Sequence, residues 1–296
     1  MTRVAFLGLG AIGAPMASHL SGPPFELTVW NRTRERAKGF VSNHAAHIAA
    51  TPMSAGNDVE FAITCLPSSR EVEEVLFSDE GLAQSLAPGA TLIDCTSGDP
   101  ASSRRIAERL AQQGVDFLDA PVSGGVAGAS AGTLTVMCGG NETVFERCRP
   151  VLEAFGKKIV RCGDVGAGHA VKAVSNALLA VHVWSLGEAL ASLAKIGVDT
   201  SVALDVISAS AGRSNASQNL FPERAMTRAF PRTFRLALLD KDIDIAARIA
   251  RDAGVPIPLI ELTAKLIRGA HGELGEEADH VEAVKVIEER AGVQIS

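Results

Sequence analysis

The chain has 296 residues, 47% apolar and 21% charged, with a formal net charge of −6. That length allows two domains of ordinary size, and that balance supports a large buried core. No Lys/Arg run exceeds two residues, which argues against a broad nucleic-acid surface, and the absence of Tyr excludes Tyr-based catalysis.

The first apolar run predicts a strand over 3–7. It leads directly into Gly8-Leu9-Gly10-Ala11-Ile12-Gly13 and a predicted helix over 13–21. A G-x-G-x-x-G at a strand-to-helix turn suits a dinucleotide. The first glycine permits the tight turn, the second lets backbone approach a pyrophosphate, and the third lets helix pack on strand. The helix N-terminus then faces the anion with its N–H groups. A second strand over 26–30 is followed by Asn31-Arg32-Thr33-Arg34. An acidic residue here reads the ribose 2′-OH of NAD. Its replacement by an amide, a hydroxyl and two guanidinium groups favours a 2′-phosphate, hence NADP. The alternative is that Arg32 and Arg34 are solvated charges opening the next helix.

Further strands are predicted over 59–65, 90–94, 115–119, 133–138 and 158–161, with helices over 33–42, 70–76, 100–113 and 142–155. This alternation signals a parallel sheet covered by helices. Pro100 suits the first position of its helix and Gly114 the residue after its end. Strand ends in such sheets line the ligand crevice. Leu66 and Pro67 either line it or form an ordinary turn. Thr96 or Ser97 either bonds a nicotinamide ribose or caps the helix at 100. Ser123, Gly124 and Gly125 either cradle a carboxylate with a hydroxyl and consecutive N–H groups or form a flexible loop.

Strand signals stop after Gly163, which places a dinucleotide-binding domain at 1–163 and an all-helical domain at 164–296. Residues 169–195 read as one long helix, apolar nearly all round and so buried on every face. Covering it predicts a homodimer or homotetramer. Helices follow at 200–209, 235–253, 257–271 and 280–291, the last opening on a capping-box pattern, Asp279-x-x-Glu282. Lys172 lies in the first turn of the long helix, and Asn176 is one turn later on the same face. The helix dipole and burial both lower a lysine pKa toward a value useful for proton transfer; the alternative is a lysine snorkelling to solvent.

The five cysteines, Cys65, Cys95, Cys138, Cys148 and Cys162, contain no C-x-x-C pair and read mostly as core thiols. The histidines contain no H-E-x-x-H, and His44 and His47 read as surface residues, so no metal is expected. No signal-peptide pattern precedes the first strand, and the longest apolar stretch, 177–187, is too short to span a membrane. A cytoplasmic protein with no membrane or nucleic-acid partner is expected.

In Gly8 through Met16, Asp119 through Gly125, Gly166 through Asn176 and Lys241-Asp242, taken in order along the whole chain, the sequence resembles the β-hydroxyacid dehydrogenases. That family includes 3-hydroxyisobutyrate dehydrogenase, tartronate semialdehyde reductase and glyoxylate/succinic semialdehyde reductase. The resemblance implies an α/β, Rossmann-like N-terminal domain joined by a long helix to an all-α C-terminal domain. It implies that Lys172 transfers a proton and that Ser123, Gly124, Gly125 and Asn176 hold a small carboxylate substrate. Leu66, Pro67, Ser97 and Lys241 would line the cofactor site, and Phe234 matches an active-site aromatic. Asn31-Arg32-Thr33 is similar to the NADP-using reductase branch, with NAD possible. Two departures are Ile12, where Met is usual, and Asp240, where an apolar residue or His is common. Imine reductases share this architecture but commonly carry another residue at the lysine position. A non-catalytic nucleotide-binding protein on this scaffold would lose Lys172 or carry an extra basic domain.

Overall fold

A computed structural model describes residues 1–295. The chain divides into two compact units, Met1–Lys172 and Ala173 onward. The first unit therefore extends past Gly163 and takes in the first turns of the long helix.

The first unit alternates strands and helices: β1 (Thr2–Leu7), α1 (Gly13–Ser18), β2 (Phe25–Trp30), α2 (Arg34–Val41), β3 (His47–Ile48), α3 (Pro52–Ala55), β4 (Phe61–Thr64) and α4 (Ser69–Phe77). Then come β5 (Thr91–Asp94), α5 (Pro100–Ala111), β6 (Asp116–Asp119), β7 (Val122–Ser123), α6 (Gly125–Ala131), β8 (Leu134–Gly139), α7 (Glu142–Leu152) and β9 (Gly156–Gly163). Strands β3-β2-β1-β4-β5-β6 lie side by side in that order, all parallel. This is the doubly wound order, with its switch point between β1 and β4. The sheet is not wholly parallel, because β8 runs antiparallel to β6 and β7 and parallel to β9.

Val4, Ala5, Phe6 and Leu7 are fully buried, as a central strand covered on both faces requires. Successive side chains alternate between faces. Val4 and Phe6 join one core with Val29, Ile63 and Ile93, while Ala5 and Leu7 join the other with Ala62 and Leu92. Elements absent from the sequence expectation are the shortest or the richest in small residues. Strands β3 and β7 have two residues each, and α6 is Gly-Val-Ala-Gly-Ala-Ser-Ala. Asp99 caps α5 and Pro100 opens it, but the helix closes at Ala111, and Gly114 takes its positive φ beyond the cap.

The second unit is helical. It contains most of α8 (Ala167–Lys195), α9 (Thr200–Ala209), a π-helix over Ala216–Ala225, α10 (Leu236–Asp252), α11 (Pro258–Leu274), a 3-10 turn (His280–Glu282) and α12 (Ala283–Ala291). The capping box of Asp279 and Glu282 is present and starts that 3-10 turn. Helix α8 corrects two expectations. It is long and apolar enough to cross a membrane by length and composition alone. Yet Ala177, Ala180, Val183 and Leu190 are fully buried in a core with Phe221, Leu239 and Ile267. Nor is it buried on every face, since Val171, Val174 and Leu178 are 45%, 40% and 49% exposed. These three recur at helical spacing and form an apolar stripe.

Candidate active site

The glycine loop is held by the chain itself at two positions and left open at the third. Gly8 has φ +111, and a Cβ there would overlap the Cys65 carbonyl oxygen. A Cβ on Gly13 would overlap the Gly8 carbonyl oxygen. At Gly10 a Cβ would meet no protein atom within 4 Å. Packing thus explains the first and third glycines, and the open approach at the second fits a pyrophosphate laid against backbone. Asn31 accepts from the Leu9 amide at 2.9 Å and donates to the Thr33 carbonyl at 2.9 Å. Its side chain ties the loop to the end of β2. Arg32 and Thr33 are exposed beside it, and no ion pair holds Arg32 among the described residues. A groove of about 620 Å³ opens next to the loop, walled by Gly10, Arg36 and His44. His44 is half-buried against Phe40, with ring centroids 4.5 Å apart, rather than free on the surface.

At the ends of β4 and β5, Asp94 accepts from the Thr64 hydroxyl at 2.8 Å and from the Thr96 amide at 3.1 Å. The Thr96 hydroxyl in turn accepts from the Leu66 amide at 3.1 Å. Thr96 is 1% exposed, so its side chain locks two loops together rather than facing a ligand. Leu66 and Ser97 are half-buried beside it and Pro67 is exposed. Cys65 and Cys95 sit on the same two loops. Burial, then the charge of Asp94, pushes Cys65 up to about 12, so it stays a thiol. All five cysteines are free, with Cys95, Cys138 and Cys148 buried and the other two half-buried.

Asp119, at the end of β6, is fully buried and caps the start of α8. It accepts from the Gly166 amide at 2.6 Å and the His169 amide at 2.9 Å. Burial pushes its carboxyl up, partly offset by the His169 charge and these two amides. Gly139 and Gly168 make room for the carboxylate, since a Cβ on either would overlap its oxygens. The His169 ring lies between the Ser103 hydroxyl at 2.6 Å and the Thr96 carbonyl at 2.8 Å. Lys172, half-buried, follows one turn later. Ser123 pairs with Thr135 in the sheet, and Gly124 and Gly125 have φ of +137 and +64. That left-handed backbone favours glycine at both.

In the second unit, Asn176 is 5% exposed and donates to Asp242 at 2.6 Å. Asp242 also pairs with Lys241 at 2.7 Å. A buried amide and carboxylate and a half-buried ammonium are thus brought together on α8 and α10. Asp242 entered the sequence reading only as a motif neighbour; its burial, at 1% exposed, makes it the centre of this cluster. Asp240 is not part of it. It pairs with His271 at 3.0 Å and Arg268 at 3.5 Å, tying α10 to α11. Phe234 packs on His280, ring centroids 5.3 Å apart, and its amide donates to Asp279 at 3.2 Å.

Comparison with known proteins decides the family. Residues 3–163 match the NAD binding domain of 6-phosphogluconate dehydrogenase, and 166–287 match the NAD-binding domain of NADP-dependent 3-hydroxyisobutyrate dehydrogenase. The chain belongs to the β-hydroxyacid dehydrogenase family. The 2-(hydroxymethyl)glutarate dehydrogenase of Eubacterium barkeri is 35% identical over 99% of this chain and 97% of its own. A Mycobacterium tuberculosis 3-hydroxyisobutyrate dehydrogenase structure with L-serine has a TM-score of 0.88 at 30% identity, covering 97% of this chain and 99% of that one. The imine reductase of Streptomyces aurantiacus, at 23% identity and TM-score 0.65 over 97% and 99% of the chains, shares the fold. This β-hydroxyacid dehydrogenase is accordingly an NAD(P)-dependent oxidoreductase similar to 3-hydroxyisobutyrate dehydrogenase.

Proposed function

We propose that the enzyme interconverts a short β-hydroxy acid and its semialdehyde or keto form, prefers NADP, and uses Lys172 as the proton-transfer group. The observation that carries this is the placement of Lys172. It occupies a helix turn pinned by Asp119 and His169, one turn before Asn176, which Asp242 holds. Such fixed geometry is what proton transfer needs.

When bound, the nicotinamide gives or accepts the hydride. Gly8 through Gly13 would receive the pyrophosphate, Arg32 and Thr33 the 2′-phosphate, and Leu66, Pro67, Ser97 and Lys241 the rest of the cofactor. Ser123, Gly124 and Gly125 hold the substrate carboxylate, and Phe234 matches the active-site aromatic of the family. In the reducing direction the Lys172 ammonium donates a proton to the developing alkoxide. In the oxidising direction the amine takes the hydroxyl proton. Asn176 orients the substrate oxygen or Lys172 itself. Lys172→Ala should lower kcat about 100- to 10,000-fold, the worth of general acid–base catalysis, at nearly unchanged cofactor affinity. A kcat within about tenfold of the parent would overturn the assignment. Arg32→Ala should weaken NADPH about 10- to 150-fold and leave NADH nearly unaffected, the worth of a lost charge-assisted bond. Equal loss for both cofactors would refute the NADP preference.

The enzyme would act as a homodimer or homotetramer in the cytoplasm. The stripe of Val171, Val174 and Leu178 on α8 supports a second copy as its cover. A 30.8 kDa species that persists at micromolar concentration with full activity, seen by light scattering, would sink the oligomer.

A further inference from the structure

We infer that His169 is a positioning residue for this reaction, fixing Lys172 against the two strand-end loops assigned to the cofactor. The inference rests on the proton-transfer role of Lys172 proposed above.

The His169 side chain is fully buried, three residues before Lys172 on α8. It is bound by a loop at the sheet's C-terminal edge and by α5. Its Nε2 lies 2.8 Å from the Thr96 carbonyl, which can only accept, so Nε2 carries a proton. Its Nδ1 lies 2.6 Å from the Ser103 hydroxyl on α5. Ser103 is itself 3.1 Å from the Asp99 carbonyl at the helix cap. The His169 amide donates to Asp119 at the end of β6. There is no slack around the ring, since a Cβ on Gly98 would come within 2.8 Å of His169 Cε1.

Thr96 is the link that gives this anchoring a chemical consequence. Its carbonyl receives the imidazole while its hydroxyl receives the Leu66 amide. One residue thus joins the helix turn that carries Lys172 to the β4 loop of Leu66 and Pro67 and the β5 loop of Ser97. A cofactor seated on those loops and a lysine seated on that turn would share one rigid frame. The distance between the Lys172 ammonium and the nicotinamide carbon that exchanges hydride would then be set before substrate enters, and misplacement by about 1 Å costs on the order of 100-fold. Ser103, His169 and Asp94 also have the residue types of a hydrolytic triad. All three are 1% exposed, so no substrate reaches the serine.

The test is a double-mutant cycle in kcat, with cofactor affinity followed separately by fluorescence titration. In the parent, His169→Gln should lower kcat about 10- to 100-fold, the scale of a misplaced catalytic group, while NADPH affinity stays within about threefold. In the Lys172→Ala background the same change should cost less than about twofold, because a residue that acts through Lys172 has nothing left to position. Ser103→Ala removes one of the two ring contacts and should give a smaller loss with the same dependence on Lys172. This milder variant carries the test if His169→Gln does not fold. Equal losses with and without Lys172 would overturn the inference and make His169 merely structural. An unchanged kcat in both His169→Gln and Ser103→Ala would overturn it as well. Survival of kcat in Lys172→Ala alone would instead remove the proton-transfer assignment, so the two failures are distinguishable.

Discussion

Asp119 in the first unit and Asp279 in the second are both fully buried carboxylates at the start of helical segments. Their surroundings drive them in opposite directions. Burial pushes Asp119 up, and its two backbone amides and His169 only partly offset this. Burial also acts to raise Asp279. There, however, the hydrogen bond and charge of His280, then the amides of Val281 and Phe234, hold the carboxyl well below the usual range. Arg224 lies 3.1 Å from the same group, and Thr233 donates from both its amide and its hydroxyl. The difference shows that burial alone does not determine a carboxylate's state. A cation and extra donors reverse the balance. Asp119 is seated for the geometry of α8, whereas Asp279 is a charged hub that gathers the chain around Phe234.

The largest effect on this contrast should come from Asp279→Ala. It strands Arg224 and several amides, and breaking a buried pair costs about 3–5 kcal/mol. Urea unfolding should show that loss in the transition of the second unit, and a change under about 1 kcal/mol would make the hub unimportant. Asp119→Asn should cost less, about 1–3 kcal/mol, because one of the Gly166 and His169 amides would then face an N–H instead of an oxygen. Equal losses for the two variants would erase the distinction.

Protonation offers a finer test. Asp279 has a depressed folded pKa, so its contribution is complete above the unfolded value, about pH 4, and is lost as pH falls through the folded value. Asp119 has the opposite sign: its folded pKa is raised, so stability declines as pH rises from about 4 through its folded value. Hydrogen exchange followed by segment across the acid range should show the second unit losing protection on acidification and Asp119→Asn removing the opposing trend from the first. The same sign in both units would contradict the contrast. The smallest effect belongs to His271. The Asp240 hydrogen bond, offset by slight burial and aided by Glu276, raises its pKa. Its contribution is therefore full below about pH 6.5 and lost as pH rises through the raised value. His271→Ala should lower Tm at pH 5.5 by the equivalent of at most about 1 kcal/mol and leave it unchanged at pH 9. A loss that persists at pH 9 would point to packing instead.

The dinucleotide unit was legible because its signals are local. Strand β1 is a continuous apolar run, its glycines fall at fixed offsets, and Pro100 and the Asp279–Glu282 pair mark starts by short-range chemistry. Lys172 was visible as a charge in an apolar helix, and Asn176 as its neighbour one turn on. The two-residue strands, the small-residue helix α6 and the π-helix at 216–225 were not visible, because each is too short, too rich in small residues or too irregular for a period to register. Phe234 and Lys241 were singled out by family resemblance alone.

By itself the sequence determined the order of the longer elements, the strand-to-helix glycine loop and the family, since these depend on residues near one another along the chain. Only the tertiary structure decided what distant residues do to one another. It turned Thr96 inward to bind Leu66, placed Asp242 between Asn176 and Lys241, sent Asp240 to His271, and joined His169 to Thr96 and Ser103. It also left one face of α8 apolar and exposed, where composition suggested burial all round. For the polar contacts the physical reason is the same in each case. A buried polar group must find its partner in space, and partners separated by 30 to 73 positions leave no period or spacing in the sequence.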